Sequence, residues 1–145
     1  MKRVERTATI GAPPEALFAY LADLGNLGEW MPGIVSVEVT SPGAIRVGTT
    51  ARVVRSLGGQ QVEAPLTVAA FDPPHQLVIT SEVSGVRVAA SLDLTSAIGD
   101  GTDLRFGMEI RGSMLTRFME PMIAGAAGGE IDATLDRLRT RFATG

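Results

Sequence analysis

The chain carries few of the side chains that ordinarily do catalysis. His75 is its only histidine and cysteine is absent, so a thiolate nucleophile is impossible and a Ser-His-Asp triad would have to use His75. His75 follows Asp72-Pro73-Pro74, and a turn outside the sheet is a poor place for a buried base. We therefore expect a solvated His75, no cofactor, and no transition-metal site, because one imidazole without thiolates supplies too few ligands.

Two arginines offer a different kind of chemistry. Arg52 and Arg55 occur in one β-rich segment at positions that face opposite sides of a strand. An inward arginine would hold a ligand carboxylate or pair with Glu63 on the neighbouring segment. Both arginines would be solvated if their strand formed the edge of its sheet. We take Arg52 as the candidate ligand contact and leave open which of the two faces inward.

The single tryptophan and the single tyrosine are further candidates. From the residue alone, Trp30 is expected to be a core anchor whose N–H bonds to a backbone carbonyl. Tyr20 either places its hydroxyl at the pocket or is a half-exposed residue on a short surface helix. Gly99-Asp100-Gly101 loosely resembles a calcium loop but lacks the further acidic ligands, so we interpret it as a hairpin turn.

Two short helices after a first strand must position these aromatic residues. Residues 2–10 are rich in β-branched side chains and predict that strand. The run Gly11-Ala12-Pro13-Pro14-Glu15 predicts a helix start, because proline is tolerated in the first turn and Glu15 would lie near the positive end of the helix dipole. A second short helix carries Trp30 and ends at Pro32-Gly33.

From residue 34 the apolar period changes to two, which is typical of strands. Turn signals separate the segments 34–40, 49–57, 62–70, 77–83, 86–94 and 104–110. Consecutive short strands joined by tight turns predict an antiparallel meander. After residue 113 the spacing becomes helical, which predicts a long amphipathic helix laid on the sheet. Residues 1–145 thus form one α+β domain, made of a strand, two short helices, a meander of about six strands and one long helix.

Composition and charge exclude several classes of function. With 145 residues, 45% of them hydrophobic, the chain can form a core without metal or disulfide. The net charge is −3 and no basic run exceeds two residues, which argues against nucleic acid and against anionic membranes. No window approaches the roughly 18–20 apolar residues that span a bilayer, and no apolar signal segment follows the N-terminus. We expect a cytoplasmic monomer or homodimer.

The last helix contains an unusual run of small residues, residues 124–129. Glycine inside a helix costs about 1 kcal/mol relative to alanine, and this run contains three. One interpretation is that Ala127 and Gly128 leave a void under the sheet, which larger residues close at the other end. The other is that small residues let helix and sheet approach closely. The pattern alone leaves both open.

A methionine-rich segment surrounds Pro121. Its apolar members are Met114, Leu115, Phe118, Met119 and Met122. Proline predicts that the helix kinks or restarts here. Thioether side chains repack readily, which suits a lid over a ligand of variable shape, and ordinary core filling at a kink is the alternative.

The order of these local patterns resembles a known family. The patterns are the run Ile10 to Phe18, Asp23 through Trp30-Met31-Pro32, Val47-Gly48-Thr49, Phe71-Asp72-Pro73-Pro74, and Gly101-Thr102. In this order they are similar to the START-like (SRPBCC) superfamily, whose fold also occurs in the birch-pollen allergen. The closest branch is the polyketide cyclase/dehydrase and lipid-transport type.

That resemblance implies a helix-grip fold, in which a curved antiparallel sheet of about seven strands wraps the long C-terminal helix. It also implies an internal cavity for lipids, polyketides, sterols or similar molecules. It implies no catalytic residue, because the superfamily has no universal one. Candidate walls of the cavity are Val62, Leu66, Val88, Leu92, Phe106, Met108, Ala127 and Gly128. Candidates near its mouth are Trp30, Phe118 and Met122. Tyr20 or Arg52 would fix the orientation of the ligand.

Three functions are compatible with the sequence. The leading one is binding or carrying a small hydrophobic molecule. The alternative is an aromatase/cyclase-type enzyme whose pocket folds a poly-β-ketone chain, so that proximity does much of the work. The third is an interaction or stress-response module without a ligand. An inward titratable residue in a roomy cavity would favour the enzyme, and a collapsed interior with an exposed apolar patch would favour the module.

Overall fold

The computed structural model describes residues 2–57, 59–83, 85–112 and 120–143. Within them, the strands are β1 (Lys2–Ile10), β2 (Ile34–Val39), β3 (Thr50–Leu57), β4 (Gln60–Asp72), β5 (Gln76–Val83), β6 (Val86–Ser96) and β7 (Thr102–Gly112). The helices are α1 (Pro14–Ala22), α2 (Leu27–Trp30) and α3 (Glu120–Arg141), and a turn of 3-10 helix at Leu24–Asn26 joins α1 to α2.

The strands form one antiparallel sheet in the order β1-β7-β6-β5-β4-β3-β2. Strands β2 to β7 follow one another as a meander, and β1 pairs with β7 along its whole length, from Lys2 opposite Ile110 to Ile10 opposite Thr102. The sheet is curved around α3. The helix-grip α+β fold and the two short helices after the first strand are therefore confirmed.

The concave face of the sheet is the apolar one. Leu92 on β6 lies opposite Leu77 on β5 and Phe106 on β7, and all three side chains are fully buried. Directly opposite residues share a face of the pleat. The alternating apolar positions of each strand therefore line up across the sheet and build the core beneath the helices.

The N-terminal helices are fixed to one end of this face. The buried hydroxyl of Thr102 donates to the carbonyl of Ala12 at 2.7 Å, which holds the link between β1 and α1 against β7. Pro14 is the first residue of α1 and Glu15 lies in its first turn, as expected. Leu17 and Leu21 then turn inward and are fully buried.

Helix α3 begins at Glu120 and has Pro121 in its first turn, where a missing N–H costs no helical hydrogen bond. The helix packs mainly on β1 and β7. Its buried side chains are Ala127, Ile131, Thr134, Leu135 and Leu138. No helix among the described residues is both long and apolar enough to cross a membrane.

Candidate functional site

The space between α3 and the concave face, here called the grip interior, changes character along the strands. Toward α1 and α2 the side chains of Leu92 and Phe106 are fully buried. Leu66 and Met108 are also buried, whereas Val62 and Val88 are only half-buried. Val86 and Ile110, which neighbour Val88 on the same face, are buried as well. Within the described residues, the less closed end of the grip interior is therefore confined to the surroundings of Val62 and Val88.

Trp30 anchors the packed end. Only 1% of it is exposed, and its ring meets the ring of Phe106 edge-on with centroids 6.3 Å apart. Of the two interpretations of Trp30, the core anchor describes its position. No described residue supplies the expected carbonyl partner for Nε1.

An ion pair crosses the grip interior from sheet to helix. Nη2 of Arg55 on β3 lies 2.6 Å from Oε1 of Glu130 on α3, and the two side chains are 18% and 19% exposed. Burial raises the pKa of the Glu130 carboxyl above its ordinary value, against the opposing effects of the Arg55 charge and hydrogen bond. Arg55 lies opposite Val62 on β4, so this pair borders the less closed end.

Arg52 does not reach the grip interior, which corrects its choice as the ligand contact. It lies on the outer face of β3 and pairs there with Glu63 at 3.0 Å, both side chains being more than half exposed. The signal that identifies Arg55 instead was present in the sequence. Ala51 and Val53 are buried and share the alternation of Arg55.

The small residues of α3 lie over β1. A Cβ atom on Gly128 would be 3.6 Å from Val4 Cγ1 and 3.6 Å from Arg6 Nη2, which is ordinary contact. Gly128 therefore meets the side chains of β1, with neither a hollow nor a close backbone approach at that point. A Cβ atom on Gly125 would meet nothing within 4 Å, and Ala127 is buried.

Thr134 is an interior polar residue that the apolar pattern did not reveal. It is fully buried, and its Oγ1 has no partner among the described residues. It lies one helical turn after Glu130 and three residues after the buried Ile131, so the i, i+3, i+4 rule could have placed it on the inner face. Arg55 Nε is likewise buried without a partner.

Tyr20 joins the ends of the three helices. Its hydroxyl donates to Oε1 of Glu29 at 3.1 Å, the Arg141 guanidinium lies 4.3 Å from its ring centre, and Phe142 meets the ring edge-on at 5.4 Å. Partial burial and then the bond to Glu29 raise the pKa of the phenol. Tyr20 and Trp30 both line a groove of about 640 Å³ at the C-terminal end of α3.

The remaining candidates lie apart from these groups. Met122 is 67% exposed near the start of α3. Phe118, together with Met114, Leu115 and Met119, falls outside the described residues. His75 is exposed in the turn between β4 and β5, as expected.

A pocket of about 650 Å³ lies under α1, at the opposite end of the concave face from the glycines of α3. Its lining residues are Glu15, Phe18, Ala19, Ala22, Asp23, Leu24, Gly25, Val39, Gly43, Ile45, Thr49, Phe71, Pro73 and Pro74. None of the ligand-contact residues proposed from the sequence is among them. Several of the lining residues do belong to the patterns that carry the family resemblance, including Phe18, Asp23, Thr49, Phe71, Pro73 and Pro74. The pocket combines parts of α1, β2 and β4 with the loops that adjoin them, and the sequence patterns did not predict a pocket there.

The curved sheet, the gripped helix and the two short helices define a START-like protein. Residues 1–143 match the model of the family described as polyketide cyclase / dehydrase and lipid transport, and the chain belongs to that family. An uncharacterized protein of Mycobacterium tuberculosis is 24% identical over 136 residues, which cover 93% of this chain and 94% of that one.

Solved structures with the same fold include two with informative names. A START superfamily protein from Mycobacterium smegmatis superposes with a TM-score of 0.80 at 15% identity, covering 97% of this chain and 96% of that one. The Zhui aromatase/cyclase from Streptomyces sp. R1128 superposes with a TM-score of 0.75 at 16% identity, covering 97% and 92%. At these identities the likeness concerns the fold alone.

Proposed function

We propose that this protein binds or carries a small, mostly apolar molecule in the grip interior. One observation carries the proposal: on a concave face lined by buried side chains such as Leu92 and Val86, Val62 and Val88 stay half-buried. Apolar side chains that face inward and stay partly uncovered favour an apolar guest. Membership of a family described by lipid transport supports the same class of ligand.

The Arg55–Glu130 pair orients the guest. It lies beside Val62 at the border of the less closed end, and Arg55 keeps Nε–H without a partner among the described residues. A carbonyl or carboxylate oxygen on the guest would accept that hydrogen. The affinity itself comes from apolar surface buried on binding, about 25 cal/mol per Å² before the costs of ordering.

Mass spectrometry under non-denaturing conditions tests this proposal on freshly purified protein. The wild-type protein should carry an added mass, identified after extraction as an apolar compound. Val88→Phe should lose it, because the new ring occupies the inner face of β6. Ala89→Phe adds the same ring to the opposite face of that strand and should retain the compound. Equal loading of both variants would contradict the proposal.

An aromatase/cyclase activity is the second candidate, and the buried ion pair favours it. Aldol ring closure followed by loss of water needs a base that takes a methylene proton and an acid that protonates the departing hydroxyl. A carboxyl group whose pKa is raised by burial, as at Glu130, suits that exchange. Incubation with a poly-β-ketone thioester separates the candidates: an enzyme releases the cyclised, dehydrated product and loses this activity in Glu130→Gln, whereas a carrier returns the substrate unchanged.

A further inference from the structure

The pocket under α1 is a site of its own. No residue of α3 lines it, and it shares no lining residue with the grip interior. Its volume of about 650 Å³ lies within the range of pockets that take small organic molecules. The rings of Phe18 and Phe71 lie 5.6 Å apart on its wall, and Leu24, Ile45 and the Pro73-Pro74 turn make most of the remaining surface apolar.

The charged groups of this pocket all have one sign. They are the carboxylates of Glu15 and Asp23, both exposed. Asp23 uses Oδ1 to accept the backbone N–H of Gly25 at 3.1 Å, which leaves Oδ2 available. Glu15 forms no hydrogen bond or ion pair within the described part of the chain.

Arg46, in the loop between β2 and β3, pairs with neither carboxylate within the described part of the chain. Its guanidinium lies beside the lining Gly43 and donates to the carbonyls of Pro42 and Ala44 at 3.3 and 3.5 Å. Arg46 is not among the lining residues. A ligand in the pocket therefore meets an apolar wall and a negative rim, an arrangement that favours a positive ligand group and disfavours a negative one.

We infer that the pocket under α1 is a second binding site, selective for a small apolar molecule that carries a basic nitrogen. The apolar body would lie against Phe18, Ile45 and Phe71, with the ammonium group between Glu15 and Asp23. This site neither requires nor excludes a guest under α3. A fatty acid should bind poorly, because its carboxylate would lie beside the carboxylates of Glu15 and Asp23.

Two amphiphiles that share an alkyl chain and differ in charge, decylammonium and decanoate, test this inference on the full chain with ¹³C-labelled methyl groups. Decylammonium should saturably shift the methyl signals of Leu24 and Ile45, with an affinity at least about tenfold above that of decanoate. Equal affinities would overturn the charge selectivity. Shifts confined to Val62 and Val88 would place the amphiphile under α3 and overturn the second site.

Variants of α1 give the matched control. Ala19 lines the pocket and Ala16 does not, and both are exposed on the same helix. Ala19→Phe should abolish the decylammonium shifts while Ala16→Phe keeps them. Asp23→Asn retains an oxygen that can accept the Gly25 N–H but loses the charge, and should weaken decylammonium binding about tenfold without changing the fold of the helix turn. Unchanged binding in both Ala19→Phe and Asp23→Asn would overturn the inference.

Discussion

Arg55 on β3 and Glu130 on α3 meet at 2.6 Å across the interior of the protein, each with less than one-fifth of its side chain exposed. Within the described part of the chain, the other ion pair between α3 and the sheet joins Asp132 to Arg6 on the edge strand β1, 3.6 Å apart and more exposed. Helix α3 packs mainly on β1 and β7, so the inner pair links the helix to β3, on the other side of the concave face, where Val62 is half-buried.

Breaking this pair on one side should destabilise the protein. Arg55→Met leaves a buried carboxylate without its partner, and we expect the free energy of unfolding to fall by about 2–3 kcal/mol. Adding Glu130→Met should recover much of that loss, because the second unpaired charge is then gone. Urea denaturation measures both.

Arg52→Met is the matched control for that experiment. It removes an arginine from the same strand, but one whose pair with Glu63 is mostly exposed. We expect a loss of less than about 1 kcal/mol. A loss as large as that of Arg55→Met would mean that the buried pair contributes no more to stability than the exposed pair.

The free energy of unfolding should change with pH as Glu130 titrates. Burial raises its pKa in the folded protein above the ordinary value of 4.5, so the folded protein holds this proton more tightly than the unfolded chain. The contribution of Glu130 to the free energy of unfolding is then fully present below pH 4.5 and declines as the pH rises through the interval up to the raised pKa.

Glu130→Gln removes the titrating carboxyl group, so this variant is the reference against which the pH effect is measured. The difference in free energy of unfolding, wild type minus variant, should fall as the pH rises above 4.5 and become constant beyond the raised pKa. Urea denaturation over a series of pH values measures it. A difference that grows with pH would mean that Arg55 lowers the pKa of Glu130 more than burial raises it.

The glycines of α3 should be replaceable by alanine with a gain. A Cβ atom on Gly125 meets nothing within 4 Å and one on Gly128 meets only ordinary contacts, so each substitution should raise the free energy of unfolding by about 0.5–1 kcal/mol through helix propensity. Gly101→Ala is the contrasting variant, because its Cβ would lie 3.0 Å from the carbonyl oxygen of Ile10. It should destabilise. A loss at Gly128 would indicate that the helix needs closer approach to β1.

Tyr20→Phe should separate a structural role from a ligand contact. The substitution removes the hydrogen bond to Glu29 and should lower the free energy of unfolding by about 0.5–1.5 kcal/mol. Loading with the co-purified compound should not change, because the hydroxyl is engaged between helices. Lost loading with unchanged stability would make Tyr20 a ligand contact after all.

The order of the elements was predictable because local physics sets it. Strand alternation, the turn residues between strands and Pro14 at the start of α1 each act over a few positions. Strand alternation could also have identified Arg55 as the inward arginine, because it shares one face with Val53. The choice was ambiguous because Val54 supplies an apolar residue to the other face.

Other parts of the candidate sites were beyond the sequence. Whether Leu92 and Phe106 line a cavity or close the core depends on which helix side chains reach them, and Trp30 reaches Phe106. The pocket under α1 joins Phe18 of α1, Ile45 of the β2–β3 loop and Phe71 of β4, which are far apart in the sequence. Tertiary contacts of this kind leave no local periodicity in the sequence from which they could be predicted.

We propose that an apolar guest lies under α3 against Val62 and Val88. A titration of the ¹³C-methyl-labelled protein with the neutral probe N-phenyl-1-naphthylamine tests this directly. We expect saturable shifts of the Val62 and Val88 methyl signals, whatever happens at Ile45 under α1. Saturating probe that leaves both valines unshifted would contradict it.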